Sequence, residues 1–237
     1  MDYTIHHFGD NAILLDVGTE ISIETHRKVT VITECLESQD FDWMIEYISA
    51  YTSITIFYDP LKLVKNALHD KSPFEVAVKQ LSTLISMLEE TSLPEQRIVE
   101  IPVCYGGEYG PDLEEVAKIT NCSLEEVINI HSSAEYLVYM IGFAPGFPYI
   151  GGMSEKIAAP RKATPRLKIP AGSVGIAGKQ TGVYPLETPG GWQLIGRTPL
   201  RLFQPEQDSP SLLKAGDKII FKPITSKEFL QWKEVNE

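Results

Sequence analysis

Glycine and proline are concentrated in one stretch of this chain, and that stretch limits the folds open to it. Ten of the 16 prolines and 11 of the 17 glycines lie between residues 142 and 210. Glycine permits positive φ angles, whereas proline fixes φ and removes an amide donor, so the stretch cannot be helical. Short β-prone runs at 173–177, 182–184 and 193–195 interrupt it. The pattern predicts a rigid β-scaffold that holds a shaped surface; the alternative is a barrel whose turns need Gly and Pro for geometry alone.

Composition and charge narrow the class of protein. With 237 residues, 43% of them hydrophobic, the chain can bury the cores of one large or two ordinary domains. Its net charge of −11 opposes nucleic acid and anionic membrane as general partners, because both bind clustered Lys and Arg. The first ten residues lack the basic and apolar regions of a signal peptide, and no run reaches the roughly 18 apolar residues of a membrane span. We therefore expect a cytoplasmic protein.

Residues 1–93 are predicted to form a small α/β sandwich in which helices cover an antiparallel sheet. A hairpin is expected at 3–8 and 11–17, and a second strand pair at 43–50 and 53–58. Helices are expected at 21–37 with Ser22 as N-cap, from Pro60 onward, and at 73–90. The predicted order is β-β-α-β-β-α-α, and the polar segment 91–94 is the predicted linker.

Residues 94–237 are predicted to form a second, mainly β domain. Its expected strands outside the Gly/Pro-rich stretch are 97–105, 136–141 and 218–222; a further β run is expected at 200–203 and a terminal helix at 225–235. Two short helices are expected to begin at the capping-box sequences Asp112-Leu-Glu-Glu115 and Ser123-Leu-Glu-Glu126.

Several residues of this second domain allow two interpretations. The acidic group Asp112, Glu114 and Glu115 is interpreted as solvated first-turn carboxylates at a helix dipole, with a metal site as the alternative. His131 is interpreted as a cation at a helix end, with a catalytic base as the alternative. The three cysteines, an odd number without a CxxC motif, are predicted to be reduced thiols, with Cys104 as nucleophile the alternative. The chain has no GxxxxGKS/T or HExxH motif, so we expect no metal and no cofactor bound by this chain alone.

Five ordered blocks of sequence carry a family resemblance. They are IPVCYGGEYGPDLEEVA (101–117), YMIGFAPGFPYIGGM (139–153), PRKATPR (160–166), IPAGSVGIAGKQTGVYP (169–185) and TPGGWQLIGRTP (188–199). With these blocks the chain closely resembles the family of KipI and the 5-oxoprolinase B subunit, which is related to allophanate hydrolase subunit 1. The resemblance implies an α+β protein of two domains, an N-terminal α/β domain and a C-terminal cyclophilin-like β-barrel.

The resemblance also implies two functions from different classes. The first is the B subunit of an ATP-dependent 5-oxoprolinase, which with the A and C subunits opens the lactam of 5-oxo-L-proline to L-glutamate and uses ATP with Mg. The second is a KipI-type inhibitor of sensor histidine kinase autophosphorylation in sporulation control. A substrate-binding or assembly component without catalytic residues of its own is a third possibility, because the chain lacks an ATP motif.

Residue chemistry within these blocks suggests the candidate site. Lactam opening places negative charge near cations and NH donors, so the expected catalytic residues are Arg166, Lys168, Gln180 and Arg197. The expected substrate-binding residues are Arg161, Thr181, Gly190, Gly191 and Trp192. For a protein partner such as a kinase, the expected contacts are the apolar residues Phe143, Phe147, Pro148 and Tyr149. Exposed solubilising cations and ordinary core aromatics are the alternative for these residues.

Overall fold

The computed structural model describes residues 2–65, 71–88 and 96–236, and the chain divides into two compact units, Met1–Glu95 and Gln96–Glu237. The predicted linker at 91–94 and the predicted domain boundary lie outside the described residues. No helix in the described ranges is long and apolar enough to cross a membrane.

The N-terminal unit is a helix-covered antiparallel sheet, and its predicted element order is confirmed. The strands pair in the order β1-β2-β4-β3. The elements are β1 Thr4–His7, β2 Ala12–Asp16, α1 Ile23–Ser38, β3 Met44–Ser49, β4 Ser53–Tyr58, α2 Pro60–Lys65 and α3 Pro73–Ser86.

Local signals explain where these elements begin and what they bury. The Ser22 hydroxyl accepts a hydrogen bond from the Thr25 amide at the start of α1, as predicted, and Ser72 forms a capping box with Glu75 at α3. Alternate residues of β2 and β4, among them Ile13 and Ile56, are fully buried against the helices. Buried side chains recur every second residue along the strands and about every 3.6 residues along the helices, and the two sets pack together into one core.

The C-terminal unit is built on a closed barrel, which confirms the predicted α+β class with a C-terminal barrel. Its elements are β5 Ile98–Tyr105, α4 Leu113–Thr120, α5 Leu124–Ser133, β6 Glu135–Ile141, β7 Pro148–Gly151, β8 Arg166–Ile169, β9 Ser173–Ala177, β10 Gln180–Val183, β11 Thr188–Gly190, β12 Gln193–Arg197, β13 Lys218–Ile224 and α6 Ser226–Asn236. The barrel order is β10-β7-β6-β13-β5-β12-β9, and β8 and β11 form a separate two-stranded ribbon.

The first and last barrel strands of this unit lie side by side. β5 and β13 pair in parallel from Ile98 opposite Lys218 to Cys104 opposite Ile224. Beside this pair, the buried carboxylate of Asp217 accepts hydrogen bonds from the Arg97 guanidinium (2.9 Å from Nε) and from the Lys214 amide at 2.8 Å. The barrel is therefore closed by strands that lie far apart in the sequence.

Part of the β prediction for this unit was wrong. The run at 200–203 is not a barrel strand, because Pro199 and Pro205 flank it and neither supplies an amide donor. Its polar groups bond locally instead: Leu202 O accepts from the Leu212 amide at 2.9 Å, and Phe203 forms only an isolated bridge. Conversely, β7, β8 and β11 were not predicted.

Candidate functional site

A pocket of about 370 Å³ opens on the C-terminal unit where three Gly/Pro-rich segments meet. This volume lies in the lower part of the range of small-molecule sites, roughly 300–1,000 Å³. The segments are 143–149, which leads into β7, 161–165, which precedes β8, and 189–192, which connects β11 to β12; Tyr184, just after β10, completes the lining. The lining residues are Phe143, Phe147, Tyr149, Arg161, Pro165, Tyr184, Pro189, Gly190, Gly191 and Trp192.

The floor of the pocket is a cluster of aromatic rings packed edge to face. The ring of Phe147 lies 5.7 Å from that of Tyr184 and 5.8 Å from that of Trp192, at interplanar angles of 71° and 85°. All three residues are buried in a small apolar cluster of their own. Gly182 makes room for the indole, because a Cβ there would lie 3.0 Å from Trp192 Cζ3. The close packing means that the floor is formed before any ligand binds.

The loop before β7 holds one aromatic side chain at the mouth of the pocket. Phe147 N donates to Ala144 O at 2.9 Å, and Gly146 has a φ of +76°, as a turn with Pro at its second and Gly at its third position requires. Ala144 N donates to Gly142 O at 2.8 Å across Phe143, whose φ is +67°. A three-residue turn with positive φ is strained for a bulky residue, and Phe143 is 68% exposed, so little burial of its ring offsets this strain. Such strain is typical of functional segments.

The cationic wall of the pocket is the segment 160–165, which has no helix or strand and is held by hydrogen bonds. Gln193 Nε2 donates to Pro160 O at 3.0 Å, and Lys162 N donates to Gly191 O at 2.7 Å. Between these two anchors the exposed Arg161 lines the pocket. Arg161 is the charged residue of the described lining.

Asp112 lies behind this wall, and the prediction of a solvated capping carboxylate was wrong. Its side chain does not cap α4 and is 6% exposed. Oδ1 accepts from Lys162 Nζ at 3.0 Å and from Arg166 Nη2 at 2.7 Å, and Oδ2 accepts from Leu194 N at 2.8 Å. Burial alone raises the pKa of Asp112, but these hydrogen bonds outweigh it and hold the pKa below its ordinary value. Ser123, by contrast, forms the predicted capping box with Glu126.

Tyr184 adds a hydroxyl group at the floor of the pocket. An added Cβ at Gly190 would lie 2.5 Å from this hydroxyl oxygen, which places the oxygen directly against the pocket-lining glycine. Burial raises the pKa of Tyr184, although the backbone amide of Trp192 and the nearby charges of Arg161 and Arg166 lower it. The net shift is upward, so the phenol keeps its proton at neutral pH and can donate a hydrogen bond.

His131 lies outside the pocket, and its interpretation as a cation at a helix end was wrong. It is fully buried in the barrel, and burial lowers its pKa to about 3. Thr181 donates to Gly175 O at 3.0 Å, so its Oγ1 accepts from His131 Nε2 at 2.9 Å, while His131 Nδ1 accepts from the Tyr105 hydroxyl at 2.8 Å. This chain of bonds assigns a neutral imidazole and satisfies every member, as a buried polar network requires.

The structure brings together seven of the predicted site residues and separates the others. Those that line the pocket are Arg161, Gly190, Gly191, Trp192, Phe143, Phe147 and Tyr149. The residues outside the described lining are Arg166, Lys168, Gln180, Thr181, Arg197 and Pro148. The four predicted catalytic residues therefore do not converge on this pocket.

The separated residues have other contacts. Lys168 is 78% exposed in its side chain and lies 3.2 Å from Glu187. Arg197 Nε donates to Ala171 O at 2.8 Å. Thr181 is fully buried and cannot touch a ligand in the pocket. Cys104 is buried with Sγ 3.6 Å from Ser226 Oγ, and none of the three cysteines forms a disulfide.

Tyr184 and Asp112 are functional candidates that the sequence did not reveal. Tyr184 lies in the conspicuous block 169–185, but a tyrosine beside Pro185 fits a core position equally well. Asp112 was assigned to helix capping because it precedes a helical pattern. The sequence feature that distinguishes Asp112 is the preceding pair Gly110 and Pro111, because these two residues restrict the backbone path of the loop that leads into the helix. In the described residues no group of three or more His, Cys, Asp or Glu converges to hold a metal ion.

Comparison with known proteins assigns the chain to a protein family. A family model for "Carboxyltransferase domain, subdomain C and D" matches residues 3–213. The chain belongs to this family. Curated relatives named as the B subunit of 5-oxoprolinase match nearly all of it: that of Bacillus subtilis (strain 168) is 53% identical over 233 residues, covering 98% of this chain and 97% of the relative. That of Escherichia coli O157:H7 is 42% identical over 217 residues, covering 91% and 93%.

Solved structures show the same carboxyltransferase-family fold within longer polypeptides. TTHA0988 superposes with a TM-score of 0.76 at 33% identity, and the match covers 91% of this chain but 40% of that one. The K. lactis urea amidolyase superposes with a TM-score of 0.71 at 21% identity, covering 99% of this chain and 15% of that one, which shows a shared fold alone. In these two proteins the matched region is one part of a longer chain.

Proposed function

We propose that this chain is the B subunit of a 5-oxoprolinase, a non-autonomous enzyme component that acts with the A and C subunits to hydrolyse 5-oxo-L-proline to L-glutamate with ATP. The observation that carries the proposal is the end-to-end match at 53% identity to a relative of that name. The match spans 98% of this chain and 97% of the relative, so both units of the chain take part in it.

The pocket supports this proposal through its chemistry. 5-Oxoproline is a small lactam ring that carries a carboxylate. In the proposed complex the Arg161 guanidinium pairs with the carboxylate, and the rings of Phe147 and Trp192 pack against the methylene groups. Tyr184 donates its hydroxyl hydrogen bond to the lactam oxygen, where negative charge develops as the amide is attacked. The aromatic floor excludes water from one side of the ring and strengthens both polar contacts.

The charge distribution fits an anionic substrate despite the overall acidity of the chain. Residues 96–237 contain 15 Lys and Arg against 16 Asp and Glu, so almost all of the net charge of −11 belongs to the N-terminal unit. The pocket thus lies in a nearly neutral unit, and its wall carries Arg161 and Lys162, with Arg166 directly after the wall. Local cations decide whether a small anion binds, since distant charges are screened beyond about 8–10 Å at physiological salt.

The chemical groups that line the pocket indicate which steps of the proposed reaction this chain can support. Its described residues bind and orient a lactam, but none is a carboxylate, imidazole or thiol that would act as base or nucleophile. Among the described residues no group of three or more His, Cys, Asp or Glu is placed to hold a metal ion, and the proposal assigns MgATP to the assembled complex. In this proposal the chain holds the substrate, and the assembled complex supplies ATP-dependent activation and the attacking water.

Reconstitution tests the proposal. The purified A and C subunits are assayed for ATP-dependent glutamate release from 5-oxoproline with and without this chain. Activity that requires all three proteins is the expected result, and a silent three-component mixture contradicts it. Arg161→Gln is expected to raise KM about tenfold or more, since a charge-assisted hydrogen bond contributes roughly 1.5–3 kcal/mol. Arg201→Gln is the matched control, because Arg201 pairs with Glu206 at 3.1 Å and is not in the described lining.

Inhibition of a sensor histidine kinase is the second candidate, and one observation favours it. Phe143 is a large apolar side chain, 68% exposed, on a strained turn, as is typical of a contact for a protein partner. Autophosphorylation of a purified histidine kinase is measured with the chain in excess. If the wild-type chain inhibits autophosphorylation and Phe143→Ser does not, this function is supported. If the wild-type chain leaves autophosphorylation undiminished, this function is contradicted.

A further inference from the structure

Asp112 connects three parts of the C-terminal unit that are distant in sequence. Its backbone amide donates to Leu194 O at 2.9 Å, and its Oδ2 accepts from Leu194 N at 2.8 Å. Asp112 therefore bonds both the backbone carbonyl and the backbone amide of Leu194 in β12. Its other oxygen, Oδ1, receives Lys162 and Arg166. The carbonyl of Asp112 accepts from Val116 N at the start of α4, but its buried side chain makes no capping hydrogen bond and bonds to these distant parts instead.

Asp112 accepts hydrogen bonds from the wall segment and from the residue that follows it. Residues 160–165 have no helix or strand of their own, and Arg166 after them starts β8 and pairs with Gly190 of β11. Four further hydrogen bonds in the described structure involve Pro160 O, Lys162 N, Lys162 Nζ and Arg166 Nη2. Two of the four end on Asp112. They flank the turn that follows Arg161, so the same carboxylate holds the segment on both sides of Pro165.

Asp112 also sets the charge of the wall. Lys162 and Arg166 are 30% and 28% exposed in their side chains, so water screens them only partly. Without the carboxylate, these two cations and Arg161 repel one another within one short segment. Arg166 Nη1 is already buried without a hydrogen-bond partner in the described structure, so this guanidinium has little else to hold it.

We propose that Asp112 is a positioning residue for the pocket: it does not touch the ligand, but it holds Arg161 at the wall through Lys162 and Arg166. The inference rests on the proposed function in that Arg161 receives the substrate carboxylate. That carboxylate does not change during lactam opening, so its contact stabilises bound substrate and transition state equally. Loss of such a contact raises KM and leaves kcat nearly unchanged.

The test compares Asp112→Asn with Asp217→Asn in the full chain. Asp217 is likewise a buried aspartate of the same unit with its own arginine partner, Arg97, and its side-chain hydrogen bonds in the described structure go to Arg97 and Lys214, both outside the wall. Amide hydrogen exchange is measured by mass spectrometry on peptides covering 158–168 and 192–196, and kcat and KM for 5-oxoproline are measured in the complex with the A and C subunits. For Asp112→Asn we expect exchange at least about tenfold faster in both peptides and a KM about tenfold higher. For Asp217→Asn we expect faster exchange near residue 214 and an unchanged KM.

The outcomes separate this inference from the proposed function. If Asp112→Asn exchanges like Asp217→Asn at 158–168 and keeps the wild-type KM, Asp112 is an ordinary structural residue and the inference is wrong. If the wild-type complex does not hydrolyse 5-oxoproline, the proposed function fails, while the exchange data still decide whether Asp112 holds the wall. Should Asp112→Asn not fold, Lys162→Met removes one of its bonds at a partly exposed site and must shift exchange and KM in the same direction.

Discussion

Two adjacent glycines in the pocket, Gly190 and Gly191, differ sharply in the space around them. An added Cβ at Gly190 would lie 2.5 Å from the Tyr184 hydroxyl oxygen and 2.8 Å from Ile169 Cδ1, closer than side chains tolerate. At Gly191 the nearest atom would be Lys162 O at 3.6 Å, an ordinary contact. Neither glycine has a positive φ, so alanine introduces no backbone strain at either position.

Gly190→Ala is therefore expected to destabilise the chain by about 1–3 kcal/mol, the usual cost of overpacking a filled core. The pocket floor must give way, because Ile169 is fully buried and Tyr184 is nearly so. Gly191→Ala is expected to change stability by less than about 1 kcal/mol in either direction, since alanine also restricts the unfolded chain. The same-size substitution one residue away thus serves as the control.

Urea denaturation followed by tryptophan fluorescence measures the difference, and KM for 5-oxoproline in the reconstituted enzyme measures its effect on the pocket. Gly190→Ala should unfold with a midpoint at a lower urea concentration, and should have a higher KM, than Gly191→Ala. Equal midpoints and equal KM values for the two variants would refute the reasoning, because the space around Gly190 would then be irrelevant to the pocket.

The site and the barrel support three further predictions. Tyr184→Phe should raise KM or lower kcat about fivefold, since one hydrogen bond contributes roughly 1 kcal/mol, with the fold unchanged by circular dichroism. Burial lowers the pKa of His131 to about 3, against 6.5 in the unfolded chain, so the unfolded state binds the proton more readily. The free energy of unfolding is therefore unaffected by this group above pH 6.5 and falls by up to about 1.4 kcal/mol per pH unit below it. The urea midpoint of His131→Gln should accordingly depend less on pH between 6.5 and 3 than that of the wild type. Phe143→Gly should leave the urea midpoint unchanged or higher, because the turn strain of roughly 1–3 kcal/mol disappears with a side chain that is mostly exposed.

Sequence reasoning predicted the elements whose signals are local. Ser22 and Ser123 mark the helix starts they were assigned, and β4 and β9 have the predicted bounds, since alternation and capping act within a few residues. The prediction of a strand at 200–203 failed for a reason outside the run itself: its β-prone residues bond to the nearby 210–212 segment and not to a barrel strand.

The candidate site was harder to predict than the fold, because the pocket depends on contacts between distant segments. Phe143 and Trp192 line one pocket through barrel closure, which no local pattern contains. Asp112 and Ser123 precede similar Leu-Glu-Glu sequences, yet one is buried in a charge cluster and the other caps a helix. The difference arises from Lys162 and Arg166, about 50 residues further along the chain.

The parallel pairing of β5 with β13 has a consequence for synthesis. A ribosome produces β5 roughly 120 residues before the strand that completes its hydrogen bonding, and closing so long a loop costs entropy before any contact is gained. The nascent C-terminal unit therefore carries an unsatisfied strand edge until translation has passed residue 224. Until then the exposed edge of β5 can pair with a strand of another chain, which is a route to aggregation.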